Sequence, residues 1–214
     1  MPLGFPQHWV HFEWLLLKDG KMSKSAGTAY TVRNLVERGY DPMAYRYLLL
    51  QGHYRQPLEF SFESLDAATT GYKNIVRKLA DLIQSENPGE KDSLAYDMWH
   101  DKILAPASDN FKTAESLVVV QELLKDGSVN PATKIALFEF IDRLLGLQLI
   151  DRAQKLIALE SEVAPAEIVA LAESRAAAKA SKDWATADAL RSEIDAAGWT
   201  VLDSKDGYKI VKKA

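Results

Sequence analysis

Between Phe62 and Ile83 the apolar residues return every three or four positions: Phe62, Leu65, Ala68, Tyr72, Ile75, Val76, Leu79, Leu82 and Ile83. Spacing of this kind over about six turns predicts one long amphipathic helix with a continuous buried stripe, and a stripe that long needs other helices to cover it. Ser61 stands where such a helix wants an N-cap, and Glu86-Asn87-Pro88-Gly89 stops it. Downstream the same periodicity predicts helices over about 91–104, over 113–125 (Leu117, Val120, Leu123, Leu124) and over 131–145 (Ile135, Phe138, Ile141, Leu144). Asn130-Pro131 supplies a cap followed by proline at the first helical position, and Gly146 closes that helix. Short loops between amphipathic helices make them antiparallel neighbours, so the middle of the chain reads as a helical bundle.

The flanks differ from the bundle. Thr31 reads as the N-cap of a short helix that turns Val32, Leu35 and Val36 inward and ends at Gly39, and Asp41-Pro42 opens a second helix carrying Tyr45, Arg46, Leu48 and Leu49. From Gln51 to Ser61, with Pro57 in the middle, the chain reads as irregular. Beyond a lapse of pattern at 160–165, taken as a linker, a helix with Ile168, Leu171 and Ala172 inward precedes a break at Ser181-Lys182-Asp183. A helix from Trp184 to Ala197, closed by Gly198, follows it. The runs at 199–202 and 208–211 flank Asp206-Gly207, the signal of a β-hairpin. The expected fold is mainly α, in three parts: residues 1–66, a bundle over 67–160, and a small α+β domain over 163–214.

Composition excludes several classes. The chain of 214 residues has no cysteine, so disulfides and thiolate metal sites are out, and no apolar run approaches the roughly 18 residues of a membrane span. With neither anchor nor signal peptide legible, the expected location is cytoplasmic. The net charge is −4 and none of the three segments is net basic, so any contact with RNA must rest on local patches.

One stretch points to chemistry. Lys21, Met22, Ser23, Lys24 and Ser25 lie between an Asp19-Gly20 turn and Gly27, with small residues that let the main chain approach a ligand. Lys21 and Lys24 are compact mobile cations suited to a polyphosphate. When a carboxylate attacks the α-phosphate of ATP, charge accumulates on the departing pyrophosphate, and lysines held there stabilise the transition state more than the ground state. The five residues match the KMSKS signature of class I aminoacyl-tRNA synthetases, a match expected by chance in ~10⁻⁴ of chains of this length. His8-Trp9-Val10-His11 does not fit the HIGH signature of that class, because Val10 stands where glycine is needed and the motif lies too close to Lys21. His8, His11 and Glu13 make a poor zinc set for want of a fourth ligand.

The chain as a whole resembles the C-terminal half of cysteinyl-tRNA synthetases. Asp41-Pro42 through Arg46-Tyr47-Leu48-Leu49-Leu50 is similar to the helix that follows KMSKS in several synthetases of this class, and His53-Tyr54-Arg55-Gln56-Pro57-Leu58-Glu59-Phe60-Ser61 to a stretch of the cysteine branch. Asn110 to Ala114 stands at that family's Asp-Leu-Asn-Thr-Pro, Asp188-Ala189-Leu190-Arg191 echoes its DALR signature, and Lys182-Asp183-Trp184 through Asp203 covers its terminal domain. The sequence departs from the pattern at Ala26, Thr28 and Lys179, the last where arginine is common.

The resemblance implies a KMSKS loop with a stem-contact fold, a DALR-type bundle and an anticodon-binding domain. It implies ATP with Mg at Lys21 to Ser25, tRNA(Cys) as partner, and Arg46 and Arg55 on the stem side. Lys179, Trp184, Asp188 and Asp203 would recognise the anticodon. Zinc and L-cysteine belong to an upstream half with HIGH and Cys, His and Glu ligands absent from these residues, so this chain alone is expected to be inactive. The alternative is a free-standing, non-catalytic RNA- or protein-binding relative of a synthetase. On spacing alone Trp184 and Asp188, four apart, share a helix face suited to stacking on a base, or else Trp184 packs beneath the terminal hairpin and Asp188 is a solvated charge.

Overall fold

The computed structural model describes residues 9–17, 20–21, 30–204 and 207–212, without the side chains of residues 20, 21 and 204. Met22, Ser23, Lys24 and Ser25 lie outside the described residues. The chain divides into two compact units, Met1–Arg152 and Ala153–Ala214.

In the first unit a three-stranded sheet has the order β2 (Gly20–Lys21), β1 (Leu15–Leu17), β3 (Leu58–Phe60). β1 runs antiparallel to β2 and parallel to β3, with Leu15, Leu16 and Leu17 opposite Leu58, Glu59 and Phe60. The expected irregular stretch from Gln51 to Ser61 therefore ends in a strand. Three residues are too short to show an alternating pattern, and their partner lies some forty residues upstream, so no local signal marks them.

Helix ends follow the capping chemistry written in the sequence. α1 (Val32–Glu37) has a capping box between Thr31 and Asn34, and α2 (Pro42–Leu50) is capped by the Asp41 carboxylate, 2.8 Å from the Met43 amide. Of the three apolar residues expected inward on α1 only Leu35 is buried; a helix of fewer than two turns meets α2 through one position. α3 (Phe62–Ile83) starts from a Ser61–Ser64 box and buries Leu65, Ala68, Tyr72, Ile75, Val76 and Leu79. α4 (Ser93–Ser108) runs past the expected end because Pro106 sits in its last turn, where few intrahelical bonds are lost. α5 (Thr113–Lys125) and α6 (Pro131–Leu145) keep the expected bounds, and α6 ends at Gly146 with φ 65°. The bundle core is made by Leu65, Ile75, Leu79, Ile103, Leu123, Phe138 and Ile141, all under 2 % exposed.

α7 (Leu149–Ser161) has no counterpart in the sequence reading. Its cap comes from Asp142, whose carboxylate oxygens accept from the Leu149 and Ile150 amides at 2.8 and 2.9 Å. Burial pushes that carboxyl upward in pKa against the pull of the two amides. Tyr72 on α3 donates its hydroxyl to the Leu147 carbonyl at 2.8 Å, fixing the turn between α6 and α7 to the long helix.

The second unit pairs α8 (Ala166–Ala180) with α9 (Trp184–Ala196) and covers them with an antiparallel hairpin, β4 (Trp199–Ser204) and β5 (Gly207–Lys212), in which Val201 faces Ile210 and Asp203 faces Tyr208. Its core holds Ile168, Ala172, Ile194, Trp199 and Val201, with Leu171, Tyr208 and Ile210 packed at the edge. Among the described residues no helix is long and apolar enough to cross a membrane.

Two substitutions test this packing. Leu79→Ala should cost about 2–5 kcal/mol in chemical denaturation, because the site is fully buried. Tyr72→Phe should cost about 1–2 kcal/mol by leaving the buried Leu147 carbonyl without its donor. A Tyr72→Phe variant as stable as the parent would show that the hydroxyl does not hold the turn.

Candidate nucleic-acid interface

Lys21 is the last residue of β2, its backbone paired opposite Leu16 of β1, and Lys24 lies outside the described residues. Beside this sheet lies a cleft of about 450 Å³, lined by Phe12, Trp14, Leu15, Arg46, His53, Tyr54, Leu58 and Phe111 among others. The residues that resemble the cysteine branch build its wall. His53 Nε2 lies 3.1 Å from the Asn110 carbonyl, and the Tyr54 hydroxyl donates to Asn110 Oδ1 at 2.7 Å. These bonds hold Asn110 and Phe111 at φ 59° and 53°, two consecutive left-handed residues, a conformation that asparagine tolerates and phenylalanine rarely adopts. Phe12 and Phe111 each meet the Tyr54 ring edge-on.

The two arginines expected on the stem side differ. Arg46 donates Nε–H to the Leu145 carbonyl at 2.8 Å and packs so closely over Gly146 that a Cβ there would lie 3.0 Å from its Nη2. It is a brace between α2 and the end of α6, and it also lines the cleft. Arg55 is exposed and rests its guanidinium 5.4 Å over the Tyr54 ring.

In the second unit the other four predicted residues gather at one end. α8 stops at Ser181, Lys182 takes φ 61°, and Asp183 caps α9 by accepting from the Thr186 amide at 3.2 Å and its hydroxyl at 2.7 Å. That sharp turn sets Trp184 at the first position of α9, where it stays 59 % exposed. The tryptophan packed in the core beneath the hairpin is Trp199, 6 % exposed. Lys179, in the last turn of α8, places Nζ 2.8 Å from Asp203 Oδ2. Asp188 is exposed on α9 one turn beyond Trp184.

At the centre of this group is a residue that the sequence reading passed over. Arg175, one turn before Lys179 and 5 % exposed, donates from Nη1 to Asp203 Oδ1 at 3.1 Å and from Nη2 to Oδ2 at 3.0 Å. Asp188 also acts on its charge. Hydrogen bonds from Arg175 and then Lys179 hold the Asp203 carboxyl well below the usual carboxylate range. The structure thus joins Lys179 to Asp203 directly, brings Asp188 into the same field, and presents Trp184 on the face it shares with Asp188. The signal for Arg175 was its spacing of four from Lys179 in an alanine-rich helix.

The described residues contain no group of three His, Cys, Asp or Glu able to hold a metal. The zinc implied by the resemblance therefore finds no ligand set among them.

Comparison with known proteins accounts for both ends of the chain. Residues 3–70 match the family model for the catalytic domain of class I (C) tRNA synthetases, and residues 162–209 match that for the cysteinyl-tRNA ligase anticodon binding domain. Similar proteins include a cysteine–tRNA ligase of Novosphingobium aromaticivorans, 38% identical over 203 residues that make up 91% of this chain and 40% of the relative. Another from Opitutus terrae is 39% identical over 206 residues, 96% of this chain and 42% of the relative. Cysteine–tRNA ligase 1 of Burkholderia lata is 35% identical over 204 residues, 95% and 41% respectively. The chain spans about two fifths of the length of the relatives it matches, and by the agreement of both family models and these relatives it belongs to the cysteinyl-tRNA ligase family, of which it covers the C-terminal portion.

Proposed function

We propose that these 214 residues are the tRNA-binding portion of a ligase that joins cysteine to tRNA(Cys) with ATP, acting in the cytoplasm. The observation that carries the reading is the terminal unit, where an exposed tryptophan stands beside a carboxylate and two cations on a small rigid platform. A flat ring next to polar groups suits an unpaired base, stacking on its face and reading its edge. Lys179, Trp184, Asp188 and Asp203 are the anticodon contacts, and Arg46 and Arg55, beside the cleft, are the stem contacts.

Lys21 and Lys24 act earlier, in forming cysteinyl adenylate. ATP, bound with Mg, supplies the reactive α-phosphate. The two ammonium groups, with Met22, Ser23 and Ser25, grip its β- and γ-phosphates and stabilise the charge that develops as pyrophosphate leaves. They move no proton. The chain contributes one wall of that site, and a cysteine pocket has no thiolate ligands to draw on in a sequence without cysteine.

The purified chain should show no cysteine-dependent exchange of pyrophosphate with ATP; robust exchange would overturn the assignment of cysteine and adenine binding to residues outside these 214. In a complete ligase carrying this segment, Lys24→Ala should lower kcat for activation by about 10² or more, since the contact belongs mainly to the transition state. An effect on KM alone would contradict that role.

Binding of the chain to tRNA(Cys) should weaken steeply as salt rises, in proportion to the phosphates contacted. Trp184→Ala should weaken binding roughly tenfold with the melting temperature nearly unchanged, because stacking is worth ~1–3 kcal/mol and the ring is outside the core. Asp188→Ala should blur discrimination among anticodon variants. Unfolding of the terminal unit by Trp184→Ala, or binding indifferent to both substitutions, would refute the anticodon assignment.

A further inference from the structure

Arg175 is an unusual choice for its position. It lies among Ala172, Ala176 and Ala178 on α8, and its side chain is 7% exposed. A buried guanidinium is costly to desolvate, and an apolar residue of similar volume at such a site is often neutral or stabilising. Aiming both terminal nitrogens at Asp203 also leaves Arg175 Nε buried with no hydrogen-bond partner among the described residues.

What the arrangement achieves is orientation. A carboxylate has about four acceptor positions. Arg175 fills one on each oxygen in a planar two-point clasp and Lys179 fills a second on Oδ2, so among the described residues Oδ1 has one donor where Oδ2 has two. The Asp203 side chain is 48% exposed. The clasp is rigid because the guanidinium fork fixes both distance and plane, whereas an ammonium would fix only distance.

We propose that Arg175 is a positioning residue for base recognition, holding the Asp203 carboxylate so that Oδ1 accepts from an amino or imino N–H on the edge of an unpaired base. This rests on the reading of the terminal unit as the anticodon platform. Arg175 touches no nucleotide. It sets the plane in which Asp203 does so, and Lys179, half-buried at the rim, neutralises the charge that would otherwise repel the neighbouring phosphates.

The test separates this role from a plain structural tie. Binding of the 214-residue chain to tRNA(Cys) and to transcripts altered singly at each anticodon position is measured for the parent, Arg175→Lys and Asp203→Glu, with thermal melting of each protein. Arg175→Lys keeps the charge and loses the fork; Asp203→Glu keeps the carboxylate and displaces it. Each should lower the ratio of cognate to variant affinity at one anticodon position about tenfold, with the melting temperature of Asp203→Glu within a few degrees of the parent. Discrimination retained by both variants would overturn the proposal and the contact at Asp203 while leaving the anticodon reading at Lys179, Trp184 and Asp188 intact. A parent chain that fails to distinguish the transcripts would overturn both. Should Arg175→Lys fail to fold, Asp203→Glu still decides, since an unpositioned carboxylate would tolerate the extra methylene.

Discussion

The corner from Leu145 to Leu149 is the constraint on which the first unit rests. Three long-range contacts hold it: Arg46 on α2 donates to the Leu145 carbonyl, Tyr72 on α3 donates to the Leu147 carbonyl, and Arg152 at the start of α7 pairs with Asp41 at 3.1 Å. Each joins residues 75 or more apart in sequence. Gly146 adopts φ 65° with the Arg46 guanidinium lying where a side chain would be, so one glycine both ends α6 and admits the brace. Because Asp41 is also the cap of α2, the pair with Arg152 couples the start of α2 to the start of α7.

That coupling also orients Arg46. A guanidinium with its Nε–H directed at a carbonyl is pre-oriented, so it lines the cleft at a fixed height. The cleft wall is held in a similar way: His53 and Tyr54 clasp Asn110, and the strained pair Asn110-Phe111 persists because those bonds over-determine it.

Helix existence and most helix ends were legible because their determinants are local. Thr31, Asp41-Pro42, Ser61 and Asn130-Pro131 cap the helices they precede, and the two runs expected to pair at the end of the chain form β4 and β5, with Asp206 outside the described residues. The failures are equally physical. α7 was invisible as a separate helix because its cap is a carboxylate seven residues upstream in α6, where a local reading expects Ser, Thr, Asp or Asn next to the helix. β1 and β3 were missed because each is three residues long and finds its partner across the fold. At the site, Lys179 and Asp203 were legible from family resemblance, whereas Arg175 looked like one more residue of a good helix. Its meaning lies in a contact 28 residues away.

The roles of the two tryptophans show how register decides what composition leaves open. Either Trp184 or Trp199 could have filled the space under the hairpin, and sequence alone offered both possibilities for Trp184. In β4, Trp199 and Val201 are two apart and so share the face that packs on Ile168, Ala172 and Ile194. The register is fixed because a slip of one residue would turn that whole face to solvent. Asp203, two further along, continues the same face past the end of the apolar core, which brings its carboxylate over Arg175 in place of a hydrophobic contact. With the core already filled by Trp199, the space beneath the hairpin leaves no room for Trp184, and the Asp183 cap turns it outward. One alternation along a six-residue strand thus buries one indole, places the carboxylate at the rim and leaves the other indole exposed.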